Sequence, residues 1–336
     1  MTPHRLRAAV CVVVCALTAC RSARVARSEG TIDIGAGRHL AYVALGAGKD
    51  TVVVLHGGPG VDHDYLESPL TPLAAGRTLI LYDQRGRGHS TAITDSLALA
   101  PDSDVADLET VRRHFSLDRL TLVGHHWGAA VSALYAMQHP ERVSRILMVS
   151  PFVVHPSFAF EIGMRNTDTT GLDRERKLLT ALRRGENVAE ACGFLWPSFF
   201  YGSPRNPHLN ANSVGLAVCA APADRVVQAE AINYQVVSKL GYWSWRVALN
   251  GLSVPVLVIE GEGDDMVQSA ALRWGQHLAN GRVLFIPGSA GFPWVGAQAA
   301  FDGAAVEFLG GQWPGGALKP EPFVAQAAPR ATVINK

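Results

Sequence analysis

The 336-residue chain has little charge, and what it has nearly cancels: 30 Lys and Arg stand against 29 Asp and Glu, a formal net charge of +1. That leaves no electrostatic footprint for a nucleic-acid backbone, so no nucleic-acid partner is expected. Cysteine is scarce, with five residues and no Cys/His spacing of the kind that holds a metal. Internal repeats are absent, which argues against solenoids and propellers. Past the first 20 residues no apolar run is long enough to span a bilayer. The last histidine is His277, so no loop beyond it can supply an imidazole. What the chain does have is apolar content, 48% of its residues, enough for a sizeable core.

The N-terminus stands apart. A basic "MTPHRLR" precedes the apolar "AAVCVVVCALTA". That run is too short for a transmembrane helix and fits a secretory signal peptide over residues 1–19. It ends in "LTAC", Leu17 to Cys20, which resembles the lipobox of bacterial lipoproteins. The resemblance implies cleavage before Cys20, a lipid on its sulfur and membrane attachment in the bacterial cell envelope. An ordinary cleaved signal with a chance cysteine is the alternative. Residues 20–30 then read as a polar tether. After export Cys192 and Cys219 remain, a disulfide candidate in an oxidising compartment and otherwise two buried thiols. Closing that loop would contribute about 3–4 kcal/mol.

Short β-branched runs recur along the rest: "TVVVLHGG", "TLILYDQ", "LTLVG", "RILMVS", "VPVLVIEG" and "RVLFIPG". Near-continuous apolar strands of this length are buried on both faces, as in a parallel sheet. Amphipathic stretches such as "SDVADLETVRRHF" lie between them, so the expected class is α/β with a mostly parallel, doubly wound sheet. A leading hairpin opens it. The alternation covers residues 31–151 and 252–312. It is interrupted at 152–251 by helical and loop-like sequence that reads as a cap, and residues 313–336, rich in Gly, Pro and Ala, read as a flexible tail.

Four motifs carry more than fold class. "HGGPG" at 56–60 follows one strand and "DQRGRGHS" at 83–90 follows the next; "DLETVRRHF" and "GHHWG" with "HPERV" come later. In this order they resemble the proline iminopeptidase branch of the α/β-hydrolase fold. The resemblance implies an α/β-hydrolase sheet with an inserted helical cap, no cofactor, and a small-molecule or peptide ligand. It places half of an oxyanion hole on the N–H of Gly58, or of its neighbour Gly57, and the other half on Trp127. It puts the catalytic acid at Asp264, with Asp265 as the alternative. At the two remaining catalytic positions the chain departs from the pattern. His126 stands where the nucleophilic serine belongs, and Phe292, in "GSAGFPW", stands where the histidine belongs.

Removing either residue from a Ser-His-Asp hydrolase costs about a million-fold in kcat. Two readings follow. One is a catalytically degenerate member that binds a ligand or acts as a scaffold. The other is an enzyme with altered chemistry in which His126 works with Asp264, or as base for Ser289 from the opposite loop; Ser289 capping its own turn is the structural alternative. His126 would sit at a helix N-terminus, where the dipole favours a neutral ring. His56 and His125 fall beside it in the motifs, which raises a three-histidine metal site as a further alternative. Phe292 packed over His126 would favour the degenerate reading.

Overall fold

The computed structural model describes residues 25–155, 169–191, 223–262 and 265–322. Eight strands form one sheet in the order β1-β2-β4-β3-β5-β6-β7-β8. They are β1 Arg27–Gly35, β2 Arg38–Gly46, β3 Asp50–Leu55, β4 Arg77–Tyr82, β5 Leu120–His125, β6 Val143–Val149, β7 Val256–Gly261 and β8 Gly281–Ile286. The first two pair antiparallel as a hairpin, β2 runs antiparallel to β4, and the rest are parallel. All six apolar runs of the sequence are strands here.

Successive side chains of a strand point to opposite faces, and the core divides accordingly. On one face Val53 and Leu55 pack with Leu108, Trp127, Ala133 and Trp274. Those partners come from α2 (Pro101–His114), α3 (Trp127–Gln138) and the helix Asp265–His277. On the other face Val52 and Val54 pack with Leu66 of α1 (Asp64–Leu70) and with Phe301 and Phe308 of the helix Trp294–Leu309. Within the expected cap, α4 (Thr169–Arg183), α5 (Ala223–Ser238) and α6 (Arg246–Asn250) are described. The two C-terminal helices are thus α7 and α8. Among the described residues no helix is long and apolar enough to cross a membrane.

Two expected boundaries move. The tether was expected to run to residue 30, but β1 begins at Arg27, which pairs with Leu45. The flexible tail was expected from 313, but the chain is docked further on. Leu318 exchanges two backbone hydrogen bonds with Val283, at 2.8 and 2.7 Å, and Arg282 lies over the Trp313 ring. An edge strand offers unpaired backbone groups, and the tail takes them up.

The loops above the sheet are held by a buried ion pair. Arg87 grips Asp104 with two hydrogen bonds of 2.6 and 3.0 Å, both side chains fully buried. Arg87 also donates to the carbonyl oxygens of Pro59 (2.7 Å) and Arg85 (2.8 Å). The Trp127 indole donates to Asp104 at 2.9 Å. Removing one partner of such a pair strands the other charge, at a cost of about 3–5 kcal/mol. Asp104→Ala is therefore expected to lower unfolding stability by that amount in urea titrations. Asp173→Ala, which breaks the exposed Arg176–Asp173 pair of α4, is expected to cost about 0.5 kcal/mol or less.

Candidate functional site

Strand β5 ends, the chain turns sharply, and α3 begins. His126 sits at the turn with φ 47° and ψ −108°. A non-glycine residue here is strained, and the surroundings must hold it. The His126 N–H donates to Val149 O at 3.0 Å, and its carbonyl accepts from Phe152 N–H at 3.1 Å. The flanking glycines make the turn possible. A Cβ on Gly124 would come within 2.5 Å of Ala129 N, and one on Gly128 within 2.2 Å of Leu55 O. This strand–elbow–helix is the geometry that presents a nucleophile in G-x-S-x-G folds; here it presents an imidazole.

The His126 ring is half-buried. Its Nδ1–H donates to Gly58 O at 3.0 Å, which leaves Nε2 without a hydrogen-bond partner among the described residues. Phe152 meets the ring edge-on at 5.4 Å. From there an aromatic chain continues through Trp243, stacked on Phe152 at 5.8 Å, to Trp245 and the fully buried Trp274. Burial pulls His126 down to about 4, against the hydrogen bond to Gly58, so the ring is neutral at neutral pH. The Trp127 N–H has no acceptor among the described residues, as an oxyanion donor requires. Of the two glycine candidates, the Gly57 N–H is taken by Tyr65 OH at 2.7 Å, which leaves Gly58.

The other sequence-predicted residues fare differently. Phe292 is 4% exposed and packs over His125 at 4.7 Å rather than over His126. Tyr65 and Trp294 also lie against it, at 5.9 and 5.5 Å. Ser289 is fully buried, and its hydroxyl donates to Ile286 O at 2.8 Å. That closes its own turn and leaves no contact with His126, so the exchanged-role nucleophile finds no geometry here. Asp264, Cys20, Cys192 and Cys219 lie outside the described residues, as does the Asp265 side chain.

The three-histidine metal site fails on hydrogen bonding. In His56, Nδ1–H donates to Gly57 O and Nε2 accepts from Gln84 N–H, at 2.9 and 3.0 Å. In His125, Nδ1 accepts from Tyr65 OH at 2.7 Å and Nε2–H donates to Gly291 O at 3.1 Å. Neither ring has a free nitrogen. His125 instead bridges the elbow to the loop before Phe292, a role not legible in the sequence. Also missed was Glu260, buried at the end of β7, which accepts from Ser150 Oγ at 2.7 Å and from Gly261 N–H at 3.1 Å. Burial pushes its carboxyl up to about 8 against those two hydrogen bonds, so it is mostly protonated at pH 7. The signal that could have found it is an acidic residue inside the apolar run "VLVIEG".

Burial holds His56 and His126 near 4 and His125 near 3. Unfolded histidines take up protons below about pH 6.5. Between pH 6.5 and 4 the unfolded state therefore binds more protons at these sites than the native state, and stability falls as pH falls. Glu260 works the other way, since its native carboxyl keeps a proton that the unfolded one has released above about pH 4.5. The three histidines outweigh it, so urea midpoints measured from pH 6.5 to 4.5 are expected to drop, and His125→Gln is expected to make the drop shallower by close to one proton.

Comparison with known proteins agrees with this geometry. A sequence model of the alpha/beta hydrolase fold matches residues 50–293. The proline iminopeptidase of Heyndrickxia coagulans is 35% identical over 130 residues, 38% of this chain and 45% of that protein, so the match spans less than half the relative's length. The proline iminopeptidase of Lactobacillus delbrueckii subsp. bulgaricus is 25% identical over 277 residues, 77% of this chain and 89% of that one. The crystal structure of a proline iminopeptidase from Mycobacterium smegmatis superposes with a TM-score of 0.64 at 23% identity, over 84% of this chain and 98% of that chain. With a mostly parallel eight-stranded sheet, a strand–elbow–helix at His126 and a family match over most of its length, the chain belongs to the α/β-hydrolase fold family and is proline iminopeptidase-like.

Proposed function

We propose that the chain is a catalytically silent α/β-hydrolase-fold protein. In this reading the elbow binds a small molecule or peptide through a carbonyl or carboxylate oxygen. The observation that carries it is the elbow itself: the strained turn is kept, as is a Trp127 N–H with no acceptor among the described residues, while the residue displayed is a neutral imidazole. A helix N-terminus with a free N–H attracts an oxygen ligand. Proton abstraction is disfavoured, because a ring held near 4 is a weak base at neutral pH. The loop position opposite holds the buried Phe292, which has no proton to exchange.

In the same reading the protein is exported and lipid-anchored through Cys20. Fractionation checks this: Cys20→Ser is expected to leave the membrane fraction, and the parent to carry a lipid on Cys20 by mass spectrometry.

The site itself is tested with fluorophosphonate probes and activated esters. Wild type is expected to stay at background in both. His126→Ser combined with Phe292→His is expected to restore probe labelling, and neither single change should, since nucleophile and base act as a unit. Labelling or turnover by wild type would reject the silent reading.

A further inference from the structure

Away from the elbow, the loops that follow β3 and β4 meet around one carboxylate. Asp83 Oδ1 accepts from the His63 N–H at 2.9 Å and faces His63 Nδ1 at 2.7 Å. Its Oδ2 accepts from the His89 N–H at 2.7 Å and faces His89 Nδ1 at 3.2 Å. One ligand-type atom from each of His63, Asp83 and His89 lies within 4.8 Å of the other two. Ligands of a single tetrahedral zinc-class ion, bound at about 2.0–2.2 Å, stand about 3.3–3.6 Å apart, so the side chains would draw together by about an ångström on binding.

A loop staple would account for Asp83 alone. It does not account for His63, which is 3% exposed and whose Nε2 is buried with no hydrogen-bond partner among the described residues. An unpartnered buried nitrogen is costly, and native structures rarely leave one without a reason. Asp64 Oδ1 stands 3.7 Å from it, a separation that two ligands of one ion can span. The cluster borders a cavity of about 990 Å³ whose lining includes His63, Asp64, Glu67 and His89. The cation in that lining, Arg27, is already bound by Glu67 and Glu29, so it does not oppose a second positive charge. Two imidazoles with a carboxylate suit zinc, cobalt, nickel or copper, whereas magnesium and calcium prefer all-oxygen ligands.

We propose that His63, His89 and Asp83 bind one divalent transition-metal ion, with Asp64 as a further oxygen donor and the cavity side open to water or a small ligand. The site is separate from the elbow and does not depend on what the elbow does. His63 comes from the segment after "HGGPG" and His89 from "DQRGRGHS", so no local spacing announces it.

The test uses the full chain stripped with a chelator, titrated with Zn(II) by calorimetry and with Co(II) by visible absorption. One equivalent is expected to bind, with a cobalt ligand-field band. His89→Gln, at a half-exposed side chain, is expected to weaken zinc at least about tenfold while leaving the melting temperature of the metal-free protein unchanged. His63→Gln should lose binding too, and His126→Gln should keep it. A folded wild type that binds no zinc overturns the proposal. So does zinc binding that His89→Gln leaves untouched.

Discussion

The arrangement above the sheet depends on the Arg87–Asp104 pair. Two opposite charges with no access to water survive only if each polar atom finds a partner. Here the guanidinium reaches Asp104 and the carbonyls of Pro59 and Arg85, while Asp104 also accepts the Trp127 indole. The pair therefore fixes three things at once: the loop after β3, the start of α2 and the first residue of α3. His126 holds a strained conformation between those fixed points, because a residue in such a region persists only where its neighbours over-determine it.

Burial sets the electrostatics of what lies between. The rings of His56, His125 and His126 are neutral because a charge there has lost its hydration. The same cause keeps Glu260 mostly protonated at neutral pH. A low-dielectric site lined by neutral hydrogen-bonding groups strengthens contacts to a ligand oxygen and weakens acid–base exchange near pH 7. Around Asp83 the balance is different. There a buried carboxylate organises two imidazoles at the rim of a cavity, an arrangement suited to a cation.

The strands were legible because a strand buried on both faces needs an unbroken run of apolar, mostly β-branched residues, and "TVVVL" or "VLVIEG" has no other plausible home. The elbow was legible through its glycines, which answer to close backbone approach rather than to the residue displayed between them. Other features had no local signature. Leu318 docks because the edge of β8 offers free backbone groups, and nothing in "GGALKP" announces that. Ser289 is spent on Ile286 O, a partner set by the path of the turn. Phe292 packs on His125, whose Nε2–H holds the carbonyl of the preceding Gly291, a contact that no local spacing announces.

By itself, the sequence determined the sheet, its winding, the turn that carries His126 and the absence of a serine at its apex. These follow from periodicity, glycine placement and residue identity, all local in the chain. Only the tertiary structure decided which histidine nitrogens are free, that Glu260 is buried beside Ser150, and that His63 and His89 share Asp83. Those outcomes depend on hydrogen-bond partners and desolvation supplied by distant segments. No spacing along the chain encodes which groups folding removes from water.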